Sequence, residues 1–237
     1  VLAAGSDAYY WKYGRTRLKY GPFEDNLKYD IKSKTCYMEG RKEFFYNRKI
    51  VELSNGIIPV MYDYEINYKE SSKCLNTIPL PLNTKKIQYQ ENTFGKKIMV
   101  FHGLSRYGFK GTKHVEAAFK ELKQKYPNDL ELVIAGNLPQ KEYLQLMRKS
   151  NIVIDQVNSH SSGMNALYAL AMGKVVLGGA EPVGFSSLNI ESTPVINVKP
   201  SKESIIISSY CTNTHRILTK CNITRSSGQI CTCIISK

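Results

Sequence analysis

Between Lys97 and Gly179 the chain alternates short apolar runs with helical patterns, and that rhythm limits the folds open to it more than any other feature. The runs are Ile98–His102, Leu132–Ala135, Ile152–Asp155 and Val175–Leu177. Each is rich in β-branched residues and bounded by Gly, Asn or Ser, as expected of strands buried on both faces. Thr112–Tyr126 places Val115, Ala118, Phe119 and Leu122 on one helical face. Glu142–Lys149 repeats the pattern with Tyr143, Leu146 and Met147, and Asn165–Met172 is short and largely apolar. Strand and helix in alternation predict right-handed crossovers and a parallel sheet with helices on both sides. Such sheets bind ligands at the carboxyl ends of their strands. Function is therefore expected in the loops Gly103–Thr112, Gly136–Gln140 and Gln156–Asn165.

The first third is less regular. Val1–Ala4 suits the end of a strand, while Tyr9–Tyr29, dense in Tyr, Lys and Gly, reads as loop or irregular structure. Arg41–Leu53 is predicted as a helix broken by Asn55-Gly56. Ile57–Met61 is a second strand candidate, Tyr62–Glu70 a short helix, and Thr77–Leu80 another short strand. These residues read as the closing portion of a second α/β unit, 1–84. Pro79, Pro81 and the polar stretch to Gly95 mark a linker over 85–96. The regular unit then runs over 97–204, with Val195–Val198 as a fifth strand and Ser201–Ser204 as a helix start. From Ile205 the expected amphipathic helix does not arrive, and Ser, Thr, Ile and four of the six cysteines come instead. Residues 205–237 are read as an atypical tail, a candidate for a frame-shifted or otherwise non-native stretch. Cys211, Cys221, Cys231, Cys233 and His215 match no usual zinc-ligand spacing, and a disulfide framework is disfavoured because nothing else indicates secretion.

A chain of 237 residues can bury one large core or two modest ones. No apolar run approaches the roughly 20 residues that span a bilayer. No signal segment opens the chain, and Val1 in place of Met reads as a cut or a missing start. A formal charge of +13 admits plain solubility, an anionic membrane face, nucleic acid or a phosphorylated substrate as explanations. Nucleic acid is the weakest of these, because the lysines are scattered and no nucleic-acid motif accompanies them.

The loop Gly103–Gly111 joins a strand end to a helix start and sets Arg106 and Lys110 among three glycines. Backbone N–H groups, a helix dipole and fixed cations together suit a phosphate or diphosphate; solvated loop cations are the plainer alternative. The loop Asn158–Asn165 is small, polar and again at a helix start. Within it His160 is a candidate general acid or base, or simply a hydrogen-bonding group. Asp155, at a strand end, either faces a ligand or caps a loop. No dinucleotide fingerprint, Gly-Lys-Ser/Thr phosphate loop, Gly-x-Ser-x-Gly elbow or His-rich metal cluster is present.

Phe109–Thr112, Ile134–Gly136, the polar loop running into Gly163–Gly173, and Lys174–Leu177 together resemble the donor-binding lobe of GT-B glycosyltransferases. The likeness is to the group 1, family 4 type that uses nucleotide-sugars, and it covers roughly residues 50 to 200. Ile78–Asn83 resembles the segment that closes the acceptor lobe. The resemblance implies an α/β, GT-B-like fold with a parallel Rossmann-like sheet in the C-terminal lobe and an incomplete N-terminal α/β lobe. It makes 97–204 the donor lobe and 1–84 the end of the acceptor lobe.

Carried over by position, Arg106 and Lys110 resemble the pair of cations that hold the donor diphosphate and stabilise it as it leaves, with no metal or other cofactor. Lys110, followed by Gly111, is the firmer match. The family's paired glutamates, eight positions apart, fall on His160 and Tyr168, and neither is Glu here. The loop of Ser161, Ser162, Gly163, Met164 and Asn165 is then expected to take over the donor contacts, with Gly103, Gly136 and Asn137 beside it. The implied activity is sugar transfer from a nucleotide-sugar to a glycan or lipid-linked acceptor in surface polysaccharide synthesis. The implied place is cytoplasmic, at the inner face of an anionic membrane. Two alternatives stand beside it: a sugar-nucleotide epimerase on the same fold, for which His160 is the one acid/base group available, and a non-catalytic nucleotide-sugar-binding remnant.

Overall fold

The computed structural model describes residues 1–30 and 38–213. The larger part is a five-stranded sheet of β3 (Ile98–Leu104), β4 (Leu130–Gly136), β5 (Ile152–Ile154), β6 (Val175–Gly178) and β7 (Ile196–Asn197). Every neighbouring pair is parallel, and the spatial order is β4-β3-β5-β6-β7. The apolar runs do what their composition dictates, because alternate residues face opposite sides of the sheet. Val100, Ile152, Ile154 and Leu177 meet Val115, Ala118, Phe119 and Leu122 of α6 (Thr112–Lys125) and Ile205 of α10 (Lys202–Asn213). Phe101, Val153 and Val176 face the other way. There they join Met147 of α7 (Gln140–Lys149) and Ala166 and Ala169 of α8 (Met164–Ala171).

A second, smaller core is built from the first 80 residues. Among the described residues its sheet has two parallel strands, β1 (Leu2–Ala3) and β2 (Ile58–Pro59). Around it pack α1 (Ala8–Arg17), α2 (Phe23–Tyr29), α3 (Arg41–Leu53) and α4 (Tyr62–Tyr68). Aromatic rings supply most of the burial, with Tyr10, Trp11, Phe23, Tyr64 and Tyr68 each at most 9% exposed. One ring comes from elsewhere. Phe109, on the single-turn helix α5 (Tyr107–Lys110) of the larger part, inserts into this aromatic cluster.

Several expectations need correcting. Tyr9–Tyr29 is not irregular: it forms α1 and α2. Asp7 caps α1 by accepting the Tyr10 N–H at 2.9 Å, and Tyr10, Trp11 and Gly14 are buried on one side of it. Thr77–Leu80 forms no strand, although the Ile78 N–H still reaches the Pro59 carbonyl. Pro79 and Pro81 on either side of Leu80 have no N–H to continue a ladder. A helix does continue past Ile205, as far as Asn213, because Ile205 and Ser209 share one buried face. Residues 214–237, with His215, Cys221, Cys231 and Cys233, lie outside the described residues, as does the side chain of Cys211. The stretch 85–96 carries no α-helix or strand. It is pinned along the larger core by Gln90 to the Met172 carbonyl and by Asn92 to Asn151. Among the described residues no helix is long and apolar enough to cross a membrane.

The two cores meet where α2 lies on α5, and the fit leaves no room for a side chain at Gly108. A Cβ there would stand 2.0 Å from the Asp25 carbonyl oxygen. Gly108→Ala should therefore lower stability by about 2 kcal/mol or more through backbone overpacking. Urea unfolding of the two proteins measures it, and an unchanged midpoint would mean that this contact is not close in solution.

Candidate functional site

The strand order places the chain's change of direction between β3 and β5, since β4 lies to one side of β3 and the remaining strands to the other. At such a point the loops leaving the two strands are where ligands bind in open α/β sheets. Here those loops are 105–111 and 155–163, the segments that carry Arg106, Lys110, Asp155 and His160. They are bonded to each other, the Val157 N–H to the Lys110 carbonyl at 3.1 Å and the Asn158 amide to the Gly108 carbonyl at 3.0 Å.

Lys110 sits at the end of α5, where Gly111 turns the chain in the left-handed region at φ 71° and starts α6. Both the angle and the space demand glycine, because a Cβ on Gly111 would lie 2.6 Å from Val157 Cγ2. The turn aims the Lys110 ammonium at Asp155, with Nζ 3.2 Å from Oδ1. Both groups are nearly enclosed, Lys110 at 6% and Asp155 at 2% exposure. The second carboxylate oxygen, Oδ2, accepts the N–H of Gly163, the N-cap of α8, at 3.0 Å. Lysine, carboxylate and helix start thus form one continuous unit across the two loops.

Arg106 does not join it. As N-cap of α5 its guanidinium lies 3.5 Å above the Phe109 ring centroid. Burial pulls its pKa below the ordinary value, and Tyr64, Asp30 and Tyr10 of the smaller core oppose that shift. The two cations therefore face different parts of the molecule, Arg106 the N-terminal core and Lys110 the sheet.

His160 is 4% exposed. Its ring stacks on Tyr20 at 4.2 Å with Tyr62 beside it, and its backbone N–H donates to Asp63 Oδ1 at 2.9 Å. Nδ1 lies 3.4 Å from the same oxygen, within ion-pair range but without a hydrogen bond. Asp63 also accepts the Ser159 hydroxyl at 3.1 Å. Tyr20 in turn donates to Glu181 at 2.9 Å, so His160 lies beneath an aromatic and acidic cover.

Several other candidates have backbone or packing roles. Gly103 gives way to Tyr143, whose hydroxyl would lie 1.8 Å from a Cβ, and Gly136 likewise to the Leu104 carbonyl. Asn137 is exposed in the left-handed region at φ 55°. The Ser161 carbonyl accepts from Ser159 and Gln156, and Ser162 donates to the Gly179 carbonyl. Met164 and Asn165 are half-buried in the first turn of α8, and Tyr168 packs at the edge of the core on that face.

Some residues that build the site were not singled out from sequence. Asp25 accepts from Asn158 at 3.2 Å and pairs with Lys113, and Asp30 accepts the Phe109 N–H at 2.8 Å. These contacts join residues 79 or more positions apart, so no local pattern announces them. His102, wholly buried on β3, bridges to β5. Its Nδ1 lies 2.9 Å from the Ile154 carbonyl and its Nε2 3.0 Å from Thr112 Oγ1. A carbonyl only accepts, so Nδ1–H donates to it and Nε2 accepts the threonine hydroxyl.

Among the described residues no three His, Cys, Asp or Glu side chains lie close enough to hold a metal ion. A groove of about 320 Å³ lies apart from these loops, between α4 and α9 (Pro182–Ser186), with Glu65, Thr77 and Ser187 on its walls.

No protein-family model and no curated protein matches the chain. Solved structures do. TarM superposes over 80% of this chain and 42% of its own, with a TM-score of 0.51 at 13% identity. The GtfA/B complex covers 79% of this chain and 45% of its own, at 0.45 and 10%. UDP-GlcNAc 2-epimerase from Neisseria meningitidis, solved with UDP-GlcNAc bound, covers 75% and 58%, at 0.43 and 19%. The chain spans about half the length of the structures it matches. The fold is α/β and GT-B-like: a five-stranded parallel Rossmann-like sheet preceded by a smaller α/β unit.

Burial, and then the Lys110 charge, lower the His102 pKa from 6.5 to about 4, against its bond to Ile154 and the charge of Asp155. The unfolded chain binds this proton below pH 6.5 and the folded chain does not until about pH 4. The stability that the neutral ring provides is thus complete above 6.5 and falls as the pH drops through that window. Between pH 7 and 5 the loss should be on the order of 2 kcal/mol. His102→Gln should flatten this part of the profile in urea unfolding at the two pH values; an equal slope in both proteins would assign the loss to other groups.

Proposed function

We propose that this chain is the donor-binding part of a glycosyltransferase, together with the end of its acceptor lobe. It takes a nucleotide-sugar and passes the sugar to a glycan or lipid-linked acceptor, as in surface polysaccharide assembly. Residues 97–204 form the donor lobe, 1–84 the closing part of the acceptor lobe and 85–96 the connection. The observation that carries this reading is the change of direction between β3 and β5, where Lys110 and the start of α8 meet at Asp155. A buried ammonium and a helix N-terminus aimed at one point suit a diphosphate.

Transfer breaks the bond between the anomeric carbon and the diphosphate and leaves negative charge on the departing oxygen. Lys110 and the backbone N–H groups of 163–165 supply fixed positive potential there and need no metal ion. Arg106, over the Phe109 ring and turned to the N-terminal core, is the weaker partner in this reading. The net charge of +13 supports docking on an anionic membrane face, where the lipid-linked acceptor would lie.

A second reading is binding without turnover, and the enclosure of His160 under Tyr20 and beside Asp63 favours it. That arrangement leaves the ring little access to an acceptor hydroxyl. One assay separates the two: incubation with UDP-, GDP- and dTDP-sugars, followed for sugar transfer, donor hydrolysis and epimer formation. Transfer or slow hydrolysis supports the transferase, saturable binding alone supports the second reading, and an epimer would replace both. Lys110→Met should weaken donor binding by about ten- to a hundredfold, the worth of one or two charge-assisted contacts. Arg106→Ala should weaken it less. Calorimetric titration reads both, and unchanged affinity in Lys110→Met would remove that lysine from the site.

A further inference from the structure

Helix α3 is held to the smaller core by one side, and its opposite side is largely apolar. Phe44, Asn47 and Val51, at i, i+3 and i+7, are the half-buried positions. Phe44 stacks on Tyr9 at 5.2 Å, Asn47 donates to the Tyr68 hydroxyl at 3.2 Å, and Val51 packs against the aromatic cluster. No residue of α3 is fully buried. Turned away from this seam, at i, i+4, i+7, i+8 and i+11, stand Lys42, Tyr46, Lys49, Ile50 and Leu53. Tyr46 and Ile50 are each more than half exposed, Leu53 is 83% exposed, and Phe45 stands on the shoulder at 47%. Large apolar side chains gathered on one outward face mark a contact surface.

The charges on and around that face decide what covers it. Arg41, Lys42, Arg48 and Lys49 outnumber Glu43 and Glu52 on the helix. Glu52 is itself engaged by Arg48 at 3.3 Å and Lys49 at 2.9 Å. Two further ammoniums border the helix. Lys12 Nζ lies 3.9 Å from the Phe44 ring centroid, and Lys73 donates to the Val51 carbonyl at 3.2 Å. In a contact with another protein, Lys42 and Lys49 would have to enter an apolar interface, where lysine is depleted. On a lipid surface the same side chains lay their stems along apolar groups and lift their ammoniums to the phosphates. Tyrosine, with an apolar ring and a polar tip, is also at home at that depth.

We infer that α3 is the element by which this chain lies on an anionic membrane. Phe45, Tyr46, Ile50 and Leu53 enter the head-group boundary, and the lysines and arginines beside them meet the lipid phosphates. The inference gives the membrane contact of the proposed transferase a place on the molecule. It asks nothing of Lys110 or the donor, so either reading can fail while the other stands.

Vesicle flotation of the full chain tests it, with phosphatidylcholine alone and with phosphatidylcholine and phosphatidylglycerol mixed at about three to one. The wild type should bind the mixed vesicles about tenfold or more tightly than the neutral ones. Ile50→Ser with Leu53→Ser, and separately Lys42→Glu with Lys49→Glu, should each weaken that binding about tenfold. Lys120→Glu with Lys123→Glu makes the same charge change at exposed positions of α6 and should stay within about threefold of wild type. Wild-type protein that ignores the anionic vesicles overturns the inference. So does a serine pair that binds as well as wild type. An α6 pair that loses as much as the α3 lysine pair also overturns it, since net charge alone then explains the binding. Circular dichroism checks each fold. Should the serine pair not fold, Leu53→Trp takes its place: brominated lipid should quench the indole it introduces and spare Trp11, which is 1% exposed. Fluorescence that brominated lipid leaves unchanged counts against α3. An oligomer that forms without lipid and is dissolved by the serine pair would give the face to a second copy, and the membrane assignment would fall.

Discussion

Phe109 and Lys110 are neighbours in sequence and serve opposite sides of the molecule. One turn of helix sends the phenyl ring into the aromatic core of the first 80 residues and the ammonium to Asp155 at the sheet. The arrangement around this turn is fixed at both ends. The Phe109 N–H is held by Asp30, and Gly111 reverses the chain where no other residue has room. Burying a lysine is costly unless it is paired, and the carboxylate at the end of β5 is what permits it. The position of the smaller core, the closing of the 155–163 loop and the direction of Lys110 all follow from this one turn.

The strands that lie in the middle of the sheet were legible from sequence because both their faces are buried, which leaves uninterrupted apolar runs such as Ile152–Ile154. Helix α6 was legible because Val115, Ala118, Phe119 and Leu122 keep helical spacing. Strand order is a different kind of information. It depends on which runs pair across long separations, and no local pattern states that β5 rather than β4 leads on to β6. Helices α1 and α2 do not announce themselves because α1 buries Tyr10, Trp11 and Gly14 and the short α2 only Phe23 and Asn26, which leaves no long aliphatic stripe at helical spacing. The Asp7 cap was the available signal. In α10 the buried face is defined by Ile205 and Ser209, and a serine in one of these places hides it from an apolar-periodicity reading.

The candidate site was legible in part. The loop sequence identified Lys110 as a cation at a strand end, and the fold gives it an enclosed place where the two loops meet. Arg106, three residues before Phe109, has the same local credentials, but it lies over the Phe109 ring beside the N-terminal core, which residues far away in the chain build. The paired glutamates of the resembling family are absent. In their places stand His160, lodged between two tyrosines, and Tyr168, packed at a core edge. The resulting site has a fixed cation and a fixed helix start, both bonded to Asp155.

The borrowed phenyl ring also bears on how the chain acquires its shape during synthesis. Residues 1–80 leave the ribosome before Phe109 does. Their aromatic cluster therefore lacks this ring, with the apolar surface it covers facing solvent, until the β3–α5 segment emerges and supplies it. Translation speed across residues 80–110 thus governs how long that sticky surface is on display, and with it the exposure of the nascent chain to chaperones and to aggregation.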